Sequence, residues 1–267
     1  MLAAPHAVWT LLFIIAPLIF VAYYAFTDKE GAFTFDNILY ACNASYMVIF
    51  FRSVSLALIA TFICLIIAYP LAYAISRSRA NSQKVMIMLV MLPMWMNFLI
   101  RTYSWMAILE DSGFINQLLV KLGLEPVHMI NTSGAVILGM VYNFLPYMIL
   151  PLYSVMTKID GRLVEAAQDL GCSGFKVLTK VIFPLSASGV VSGVTMVFVP
   201  SISTFYISQK LGGGNFDLIG DTIERQFQTA YNYNLGAALS LILMVLIFIC
   251  MAVMNRFSDE DGGGMVV

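Results

Sequence analysis

The sequence predicts an all-α integral membrane protein with six transmembrane helices. Hydrophobic residues make up 60% of the 267 residues and charged residues only 11%, whereas ordinary soluble domains contain about 25% charged residues. Because a helix crosses a bilayer with about 20 predominantly apolar residues, the long charge-free runs predict one span each. These runs cover residues 1–27, 53–76, 85–100, 126–157, 181–209 and 226–255. The composition excludes a cytosolic enzyme and a disordered chain.

The predicted spans, after their polar ends are trimmed, cover residues 7–26, 49–75, 85–108, 134–156, 181–205 and 235–255. No linker or tandem repeat divides the chain, so we expect residues 1–267 to form a single transmembrane domain. The first run could instead be a signal peptide. It has no Lys or Arg before its apolar stretch and no small-x-small cleavage site after it, so we expect it to remain as a span.

The basic residues predict the orientation of the spans. If the N-terminus is cytosolic, the cytosolic segments contain eight Lys and Arg residues, and the outer loops contain four. The eight are Arg77, Arg79, Lys84, Lys158, Arg162, Lys176, Lys180 and Arg256. Because positive residues concentrate on the cytosolic side, both termini are expected to be cytosolic. The outer loops would then carry nine carboxylates, which attract cations.

Residues 157–180, between the fourth and fifth spans, predict a short helix that cannot cross the membrane. Asp160 can accept hydrogen bonds from first-turn N–H groups, and Gly171 can adopt the left-handed conformation that ends a helix. The apolar face, at spacing i, i+3, i+4 and i+7, consists of Leu163, Ala166, Ala167 and Leu170. Outside that face lie Arg162, Glu165 and Asp169. We expect the two alanines to let another protein approach this helix closely.

The same loop resembles the EAA loop of permeases from ABC importers of the type I class. Glu165-Ala166-Ala167 is followed by Gly171 and, thirteen residues later, by Pro184, with two spans remaining. The resemblance implies a MetI-like fold in which this coupling helix docks into a cytosolic ATPase. The chain has no GxxxxGK[ST] phosphate-binding loop, so a partner subunit is expected to hydrolyse the ATP.

Further stretches resemble one branch of this family, the permeases of spermidine/putrescine importers. They are PMWMNFLIRTYSWMAILEDSGFINQLL (93–119), GMVYNFLPYMILPLYSVM (139–156), EAAQDLG (165–171) and GGGNFDLIGDTIERQF (212–227). The resemblance implies a complex in the bacterial inner membrane with a second permease, two copies of an ATPase and an extracytoplasmic polyamine-binding protein. Importers of opines, aminophosphonates and other amines have similar permeases, and they are the alternative.

Candidate substrate contacts lie on the third span and just beyond it. They are Trp95, Tyr103, Trp105, Glu110 and Asp111. Polyamines carry several ammonium groups, and each cation–π contact offers about 0.5–2 kcal/mol. Trp95 and Tyr103 are eight residues apart, so on a continuous helix they would roughly share a face. Trp and Tyr are also ordinary residues of the membrane interface, which is the alternative explanation.

Four residues are predicted to have structural roles. Arg101 lies 16 residues after Val85, or about 24 Å along a helix, so we expect it near the outer interface, snorkelling or paired with an outer carboxylate. Gly189 and Gly193 form a GxxxG pattern, which allows close helix packing either within the chain or with a second permease. Pro184 belongs to the EAA pattern.

Two other functional classes are disfavoured by the residues. An ion-coupled secondary transporter would need carboxylates within its spans, and an intramembrane enzyme would need paired catalytic groups; the predicted spans hold neither. No catalytic residue, metal or cofactor is predicted, because the two histidines are far apart and the four cysteines form no CxxC pair. The net charge of −1 gives no basic field for nucleic acid, and the expected surroundings are membrane lipid.

Overall fold

The computed structural model describes residues 4–214 and 216–262. Within these residues the secondary structure is helical, and the only extended pairing is an isolated antiparallel bridge between Thr27 and Phe33. The predicted all-α fold class is confirmed. The predicted single domain 1–267 also includes residues 1–3, 215 and 263–267, which lie outside the described residues.

We number the helices α1 to α13 in chain order. The first seven are α1 (consecutive segments Ala4–Thr10, Leu11–Ile15 and Ala16–Ala25), α2 (Asp36–Ala41), α3 (Ala44–Ser76), α4 (Ala80–Trp95), α5 (Phe98–Leu109), α6 (Phe114–Lys121) and α7 (Ser133–Met156). The others are α8 (Gly161–Asp169), α9 (consecutive segments Gly174–Val177, Leu178–Ile182 and Phe183–Leu185), α10 (Ala187–Ser203), α11 (Tyr206–Leu211), α12 (Ile219–Gln228) and α13 (Tyr233–Gly262).

Four helical stretches are individually long and apolar enough to cross a membrane. They are Val8–Ala25, Ala44–Ser76, Ser133–Met156 and Tyr233–Met254. Two further candidate spans are bent pairs, one of α4 with α5 and α6, and one of α9 with α10. The described residues therefore contain six spans when each bent pair is counted as one.

The third predicted span, 85–108, is wrong as a single helix, because the chain bends by 88° between Trp95 and Phe98. Pro93 lies in the last turn of α4 and has no N–H to donate, which weakens the helix there. Asn97 then starts a new helix, since its side-chain oxygen accepts a hydrogen bond from the N–H of Leu99 at 2.8 Å. Local chemistry favours a bend where hydrophobicity alone predicts a straight span.

The fifth predicted span, 181–205, is also wrong as a single helix, because α9 and α10 meet at Ser186 with a bend of 79°. Pro184 lies two residues before this bend, and the segment before it, Leu178–Ile182, is π-helical. A proline removes one N–H donor from the helical ladder, which favours such irregular turns. The Ser186 hydroxyl is hydrogen-bonded to the hydroxyl of Tyr69 at 2.8 Å, which fixes the bend to α3.

Helices α3, α7 and α10 pack together at the centre of the molecule, and two glycines allow the close approach of α7 and α10. A Cβ on Gly193 would lie 2.6 Å from the sulfur of Met148, and one on Gly189 would lie 3.1 Å from the Cβ of Val155. Both glycines are buried and face α7 of the same chain. Of the two predicted alternatives, the structure contains the packing within the chain.

The buried core extends along α7, whose 24 residues span about 36 Å. At one end, which we call the loop end, the C-terminal half of α7 packs with α8 and α9 around Met156, Ala167 and Ile182. At the other, which we call the far end, the N-terminal half packs with α5 and α11 around Met140 and Ile207. The two ends carry different candidate functional residues.

The first and last spans pack against each other beside this core. The side-chain amide of Asn234, in α13, donates to the backbone oxygen of Thr27 at 2.6 Å. Among the described side chains of α1, only Ala25 is buried, and it belongs to a cluster with Leu235 and Leu239 of α13. The rest of α1 exposes apolar side chains, as expected of a helix facing lipid.

Candidate functional site

Helix α8 at the loop end has the two boundaries that the sequence predicts. Asp160 Oδ1 accepts a hydrogen bond from the N–H of Arg162 at 3.0 Å and so caps the first turn. Gly171 has φ +80°, the left-handed conformation, and the N–H of Cys172 reaches back to the oxygen of Ala167 at 3.0 Å. The helix is therefore a short, separately capped element between two spans.

The apolar face predicted for α8 is divided between the protein interior and the surface. Ala167 is buried and, with the half-buried Val164, packs against the core at the end of α7. Leu163 and Ala166 are exposed, and Leu170 is 87% exposed. Of the two alanines expected to let another protein approach closely, Ala166 is exposed, whereas Ala167 packs against the chain's own bundle. The approach of a partner at this helix stays a prediction.

A compact exposed surface remains on the outer side of α8. Leu163, Ala166 and Leu170 supply its apolar part, together with Phe175 from the first turn of α9, which the sequence argument missed. Exposed charged side chains border it, namely Arg162, Glu165 and Asp169. In the described part of the chain, none of these three forms an ion pair within 4 Å. We call Leu163, Ala166, Leu170 and Phe175 the loop surface.

Polar side chains that the sequence did not single out connect elements at the loop end, and one of them, Arg77, holds the α8 loop. Arg77, just after α3, donates from Nη1 to the oxygen of Ile159 at 3.2 Å and lies over the ring of Tyr73 at 5.6 Å. The Tyr153 hydroxyl donates to Oε1 of Gln83 at 3.0 Å. Because these pairs join residues about 70 to 80 positions apart, no local pattern could have predicted them.

The aromatic pair predicted for the substrate path is separated by the bend in the third span. Trp95 ends α4 with 73% of its surface exposed, whereas Tyr103 lies on α5 beyond the bend. The prediction that they share one helical face is therefore wrong. Tyr103 instead meets Tyr206 of α11, with ring centroids 6.3 Å apart and planes at 86°.

Two of the other predicted substrate-path residues, Trp105 and Asp111, have an aromatic or ionisable partner in or before α7. Trp105 is half-buried and packs edge-to-face with Tyr142, at a centroid distance of 5.2 Å. Glu110 and Asp111 are exposed just after α5. Asp111 Oδ1 lies 2.8 Å from Nδ1 of His128, an ion pair whenever the imidazole is protonated.

Arg101 is buried, which differs from the predicted snorkelling or pairing with an outer carboxylate. Only 8% of its surface is exposed, and its Nε and Nη1 have no hydrogen-bond partner in the described chain. Its guanidinium carbon lies 5.9 Å from the ring centroid of Phe98, one turn earlier on α5. The bend after Trp95 accounts for the difference, because it redirects α5 toward α11 instead of continuing the straight helix on which the prediction rests.

Asp221 is the main buried polar residue at the far end that sequence analysis did not single out. Its Oδ1 accepts from the Ser208 hydroxyl and its Oδ2 from the N–H of Leu218, both at 2.9 Å. Burial raises the pKa of this carboxyl to about 6, while the two hydrogen bonds act in the opposite direction. The next N–H, of Ile219, donates to the buried hydroxyl of Ser53 on α3 at 2.8 Å. The start of α12 is therefore fastened to α3 and α11.

A sequence family accounts for nearly the whole chain. Residues 2–260 match the family described as "Binding-protein-dependent transport system inner membrane component". The chain belongs to this family. It is accordingly a membrane-embedded transport subunit, and the resemblance to importer permeases that its EAA loop predicts is confirmed.

Curated members of the family are similar to this chain over most of their length. The spermidine/putrescine transport system permease protein PotB of Haemophilus influenzae is 36% identical over 256 residues, covering 93% of this chain and 90% of that protein. PotB of Escherichia coli is 34% identical over 258 residues, covering 94% of each chain. This permease is thus similar in sequence to polyamine permeases from two organisms.

Solved structures of importer permeases have the same fold. A chain of a bacterial ABC transporter that imports the acidic polysaccharide alginate superposes with a TM-score of 0.80 at 18% identity, covering 96% of this permease and 93% of that chain. A chain from the alginate transporter in complex with its periplasmic protein gives 0.81 at 17% identity, covering 97% and 93%. At this identity the likeness establishes the fold alone, and the predicted MetI-like permease fold is confirmed.

Proposed function

We propose that this permease is a subunit of an ATP-driven importer of polyamines such as spermidine and putrescine, in which it forms half of the translocation pathway. The observation that carries the proposal is the similarity to two PotB permeases, at 34–36% identity over at least nine-tenths of each chain. The exposed aromatic and acidic side chains Trp95, Glu110 and Asp111 suit a cationic cargo.

The loop surface is the proposed contact with a cytosolic ATPase. A short capped helix with exposed Leu163 and Leu170, bordered by unpaired charges, has the apolar centre and polar rim of a protein interface. Ala167 and Val164 tie the same helix to α7, so force applied at the surface would reach the core directly. The complete complex would contain a second permease, two ATPase copies and an extracytoplasmic polyamine-binding protein.

Uptake measurements test the cargo. Cells that lack other polyamine importers are given this chain with its partner subunits, and uptake of radiolabelled spermidine and putrescine is followed. We expect ATP-dependent uptake that persists when a protonophore collapses the ion gradient. Uptake of octopine or 2-aminoethylphosphonate without polyamine uptake would favour the alternative cargo, and loss of uptake with the protonophore while ATP is maintained would favour an ion-coupled transporter.

Both termini are proposed to be cytosolic, with α8 on the same side. Cys42 is exposed between α2 and α3, and Cys172 follows α8, so the two cysteines would lie on opposite sides of the membrane. With the other cysteines replaced, an impermeant thiol reagent should label Cys42 in intact cells and Cys172 only after permeabilisation. Labelling of Cys172 in intact cells would reverse the proposed orientation.

A further inference from the structure

Two tyrosines from different helices form an aromatic corner at the far end. Tyr103 of α5 and Tyr206 of α11 have ring planes at 86° and centroids 6.3 Å apart. Phe98 packs against Tyr206 from the same helix as Tyr103, at a centroid distance of 5.7 Å. Tyr103 is exposed and Tyr206 is half-buried, so the corner is supported by the protein yet open to a ligand.

The corner already holds one ammonium group, that of Lys210. Its Nζ lies 5.5 Å from the ring centroid of Tyr103 and 5.7 Å from that of Tyr206, within the range of cation–π attraction to both rings. In the described chain Lys210 forms no ion pair with a carboxylate, although its neighbour Gln209 donates to Glu224 at 3.2 Å. The rings of Tyr103 and Tyr206, together with the Tyr103 hydroxyl that Lys210 also reaches, are therefore the observed partners of this charge.

The chemistry of the occupant resembles that of the proposed cargo. A lysine side chain is four methylene groups ending in an ammonium, and the same unit forms one half of spermidine and the whole carbon chain of putrescine. Aromatic faces attract an ammonium without forming the strong ion pair that a carboxylate would form. A corner that accommodates Lys210 therefore has the size and electrostatics to accommodate an alkylammonium group from a ligand.

We propose that Tyr103 and Tyr206 form a binding site for an alkylammonium group, which Lys210 occupies in this conformation and which a polyamine ammonium takes when Lys210 leaves. The proposal rests on the proposed function for the identity of the cargo. Lys210 is flexible and only half-buried, so its departure needs no rearrangement of α5 or α11. When no cargo is present, the ammonium group of Lys210 occupies the corner.

Chemical modification of the Lys210→Cys variant tests the site without requiring transport. The four native cysteines are replaced by alanine, and the full chain is studied in open membrane fragments so that both faces are accessible. Two reagents are compared, the cationic 2-aminoethyl methanethiosulfonate and the neutral 2-hydroxyethyl methanethiosulfonate, and the ratio of their reaction rates is measured. Because the corner concentrates ammonium groups, this cationic-to-neutral ratio should be at least about fivefold greater at position 210 than at an ordinary exposed position. Spermidine and n-butylammonium should both slow the cationic reagent.

Lys121→Cys provides the matched control, since Lys121 is an exposed lysine at the end of α6 with no aromatic ring beneath it among the described cation–π contacts. Replacing both tyrosines by leucine in the Lys210→Cys background should abolish the cationic preference, whereas Tyr206→Phe should keep it. If the double variant loses its cooperative thermal unfolding, the single Tyr103→Leu and Tyr206→Leu variants should each lower the ratio.

The outcomes separate this site from the proposed cargo. Equal reagent ratios at the two cysteine positions, or a preference that survives the double leucine substitution, would overturn the site and leave Lys210 as a structural contact between α5 and α11. A cationic preference with protection by n-butylammonium, in a chain that imports no polyamine, would support the site and overturn the proposed cargo. Polyamine uptake by a chain that shows no cationic preference at position 210 would support the proposed cargo and overturn the site.

Discussion

The loop end and the far end of this permease use polar residues in opposite ways. At the loop end, Arg162, Glu165 and Asp169 are exposed around a short helix that is capped by its own neighbouring residues. At the far end, Asp221 and Ser53 are buried; Asp221 joins α12 to α11, and Ser53 joins α12 to the distant α3. The loop end thus presents an exposed surface suited to a partner, whereas the far end uses buried hydrogen bonds to join its helices.

The largest expected effect comes from the loop end. Leu170→Asp places a charge on the loop surface, and we expect uptake to fall at least about tenfold, the loss that corresponds to a contact of roughly 1.4 kcal/mol. The thermal midpoint of the purified protein should not change, because Leu170 is 87% exposed. Radiolabelled uptake and thermal unfolding are measured on the same preparations.

Leu122 offers a matched control for that substitution at the far end. It is 68% exposed and, like Leu170, ends a helix just before a glycine with positive φ. We expect Leu122→Asp to leave both uptake and the thermal midpoint unchanged. If Leu122→Asp and Leu170→Asp lower uptake equally, the difference between the two ends is not functional.

The next largest effect is the pH dependence of stability at the far end. The pKa of Asp221 in the folded protein is about 6, whereas an unfolded Asp has a value of about 3.9. The folded state therefore binds the proton more tightly, so the free energy of unfolding should decrease by roughly 3 kcal/mol as the pH rises from about 4 to about 6. It should stay at the lower value above that range.

The Asp221→Asn variant isolates this contribution. The amide cannot ionise, and its oxygen can still accept the hydrogen bond from Leu218. We expect its thermal midpoint to change less between pH 5 and pH 7.5 than that of the parent, when both are measured in the same detergent. Parallel pH profiles for the two proteins would contradict the assignment of this titration to Asp221.

A smaller loss of stability is expected from Ser53→Ala. The substitution leaves the buried N–H of Ile219 without its acceptor, at a cost of about 1–3 kcal/mol. The thermal midpoint should therefore fall. Ser192→Ala is the comparison, because Ser192 is exposed and its hydroxyl only bonds back within α10. Equal midpoints for the two variants would mean that Ser53 does not fasten α12.

The smallest expected effect concerns the attachment of the α8 loop. Arg77→Gln removes one exposed hydrogen bond and one cation–π contact, worth about 0.5–1 kcal/mol together. Arg79→Gln is the control, since Arg79 is exposed and its side chain does not cap α4. We expect limited proteolysis to cut residues 157–173 faster in Arg77→Gln than in Arg79→Gln. Cleavage at equal rates would show that Arg77 does not hold the loop.

The sequence could predict features that depend on local interactions, but not those that depend on residues distant in the chain. The ends of α8 were predictable because Asp160 and Gly171 act on backbone groups within a few residues of themselves. The bends in the third and fifth spans were not predicted, because the spans were drawn from hydrophobicity alone. Pro93 and Asn97 act on neighbouring backbone groups and were the local signal for the first bend, whereas the bond of Ser186 to Tyr69 joins distant residues. The burial of Arg101 was missed because it follows from the bend after Trp95. The attachment of α12 to α3 was missed because Ser53 and Ile219 are 166 positions apart, beyond any single-sequence pattern.

The packing of the first span against the last has a consequence for biosynthesis. The bond between Asn234 and Thr27 joins residues 207 positions apart, which a ribosome adding 5–20 residues per second separates by about 10–40 s. During that interval α1 lacks its contacts with α13, although Asn37 of α2 can already donate to the oxygen of Thr27. The exposed apolar side chains of α1 suit the lipid of the bilayer during this time. Truncation before α13 would leave a nascent chain whose first helix lacks its contacts with the last.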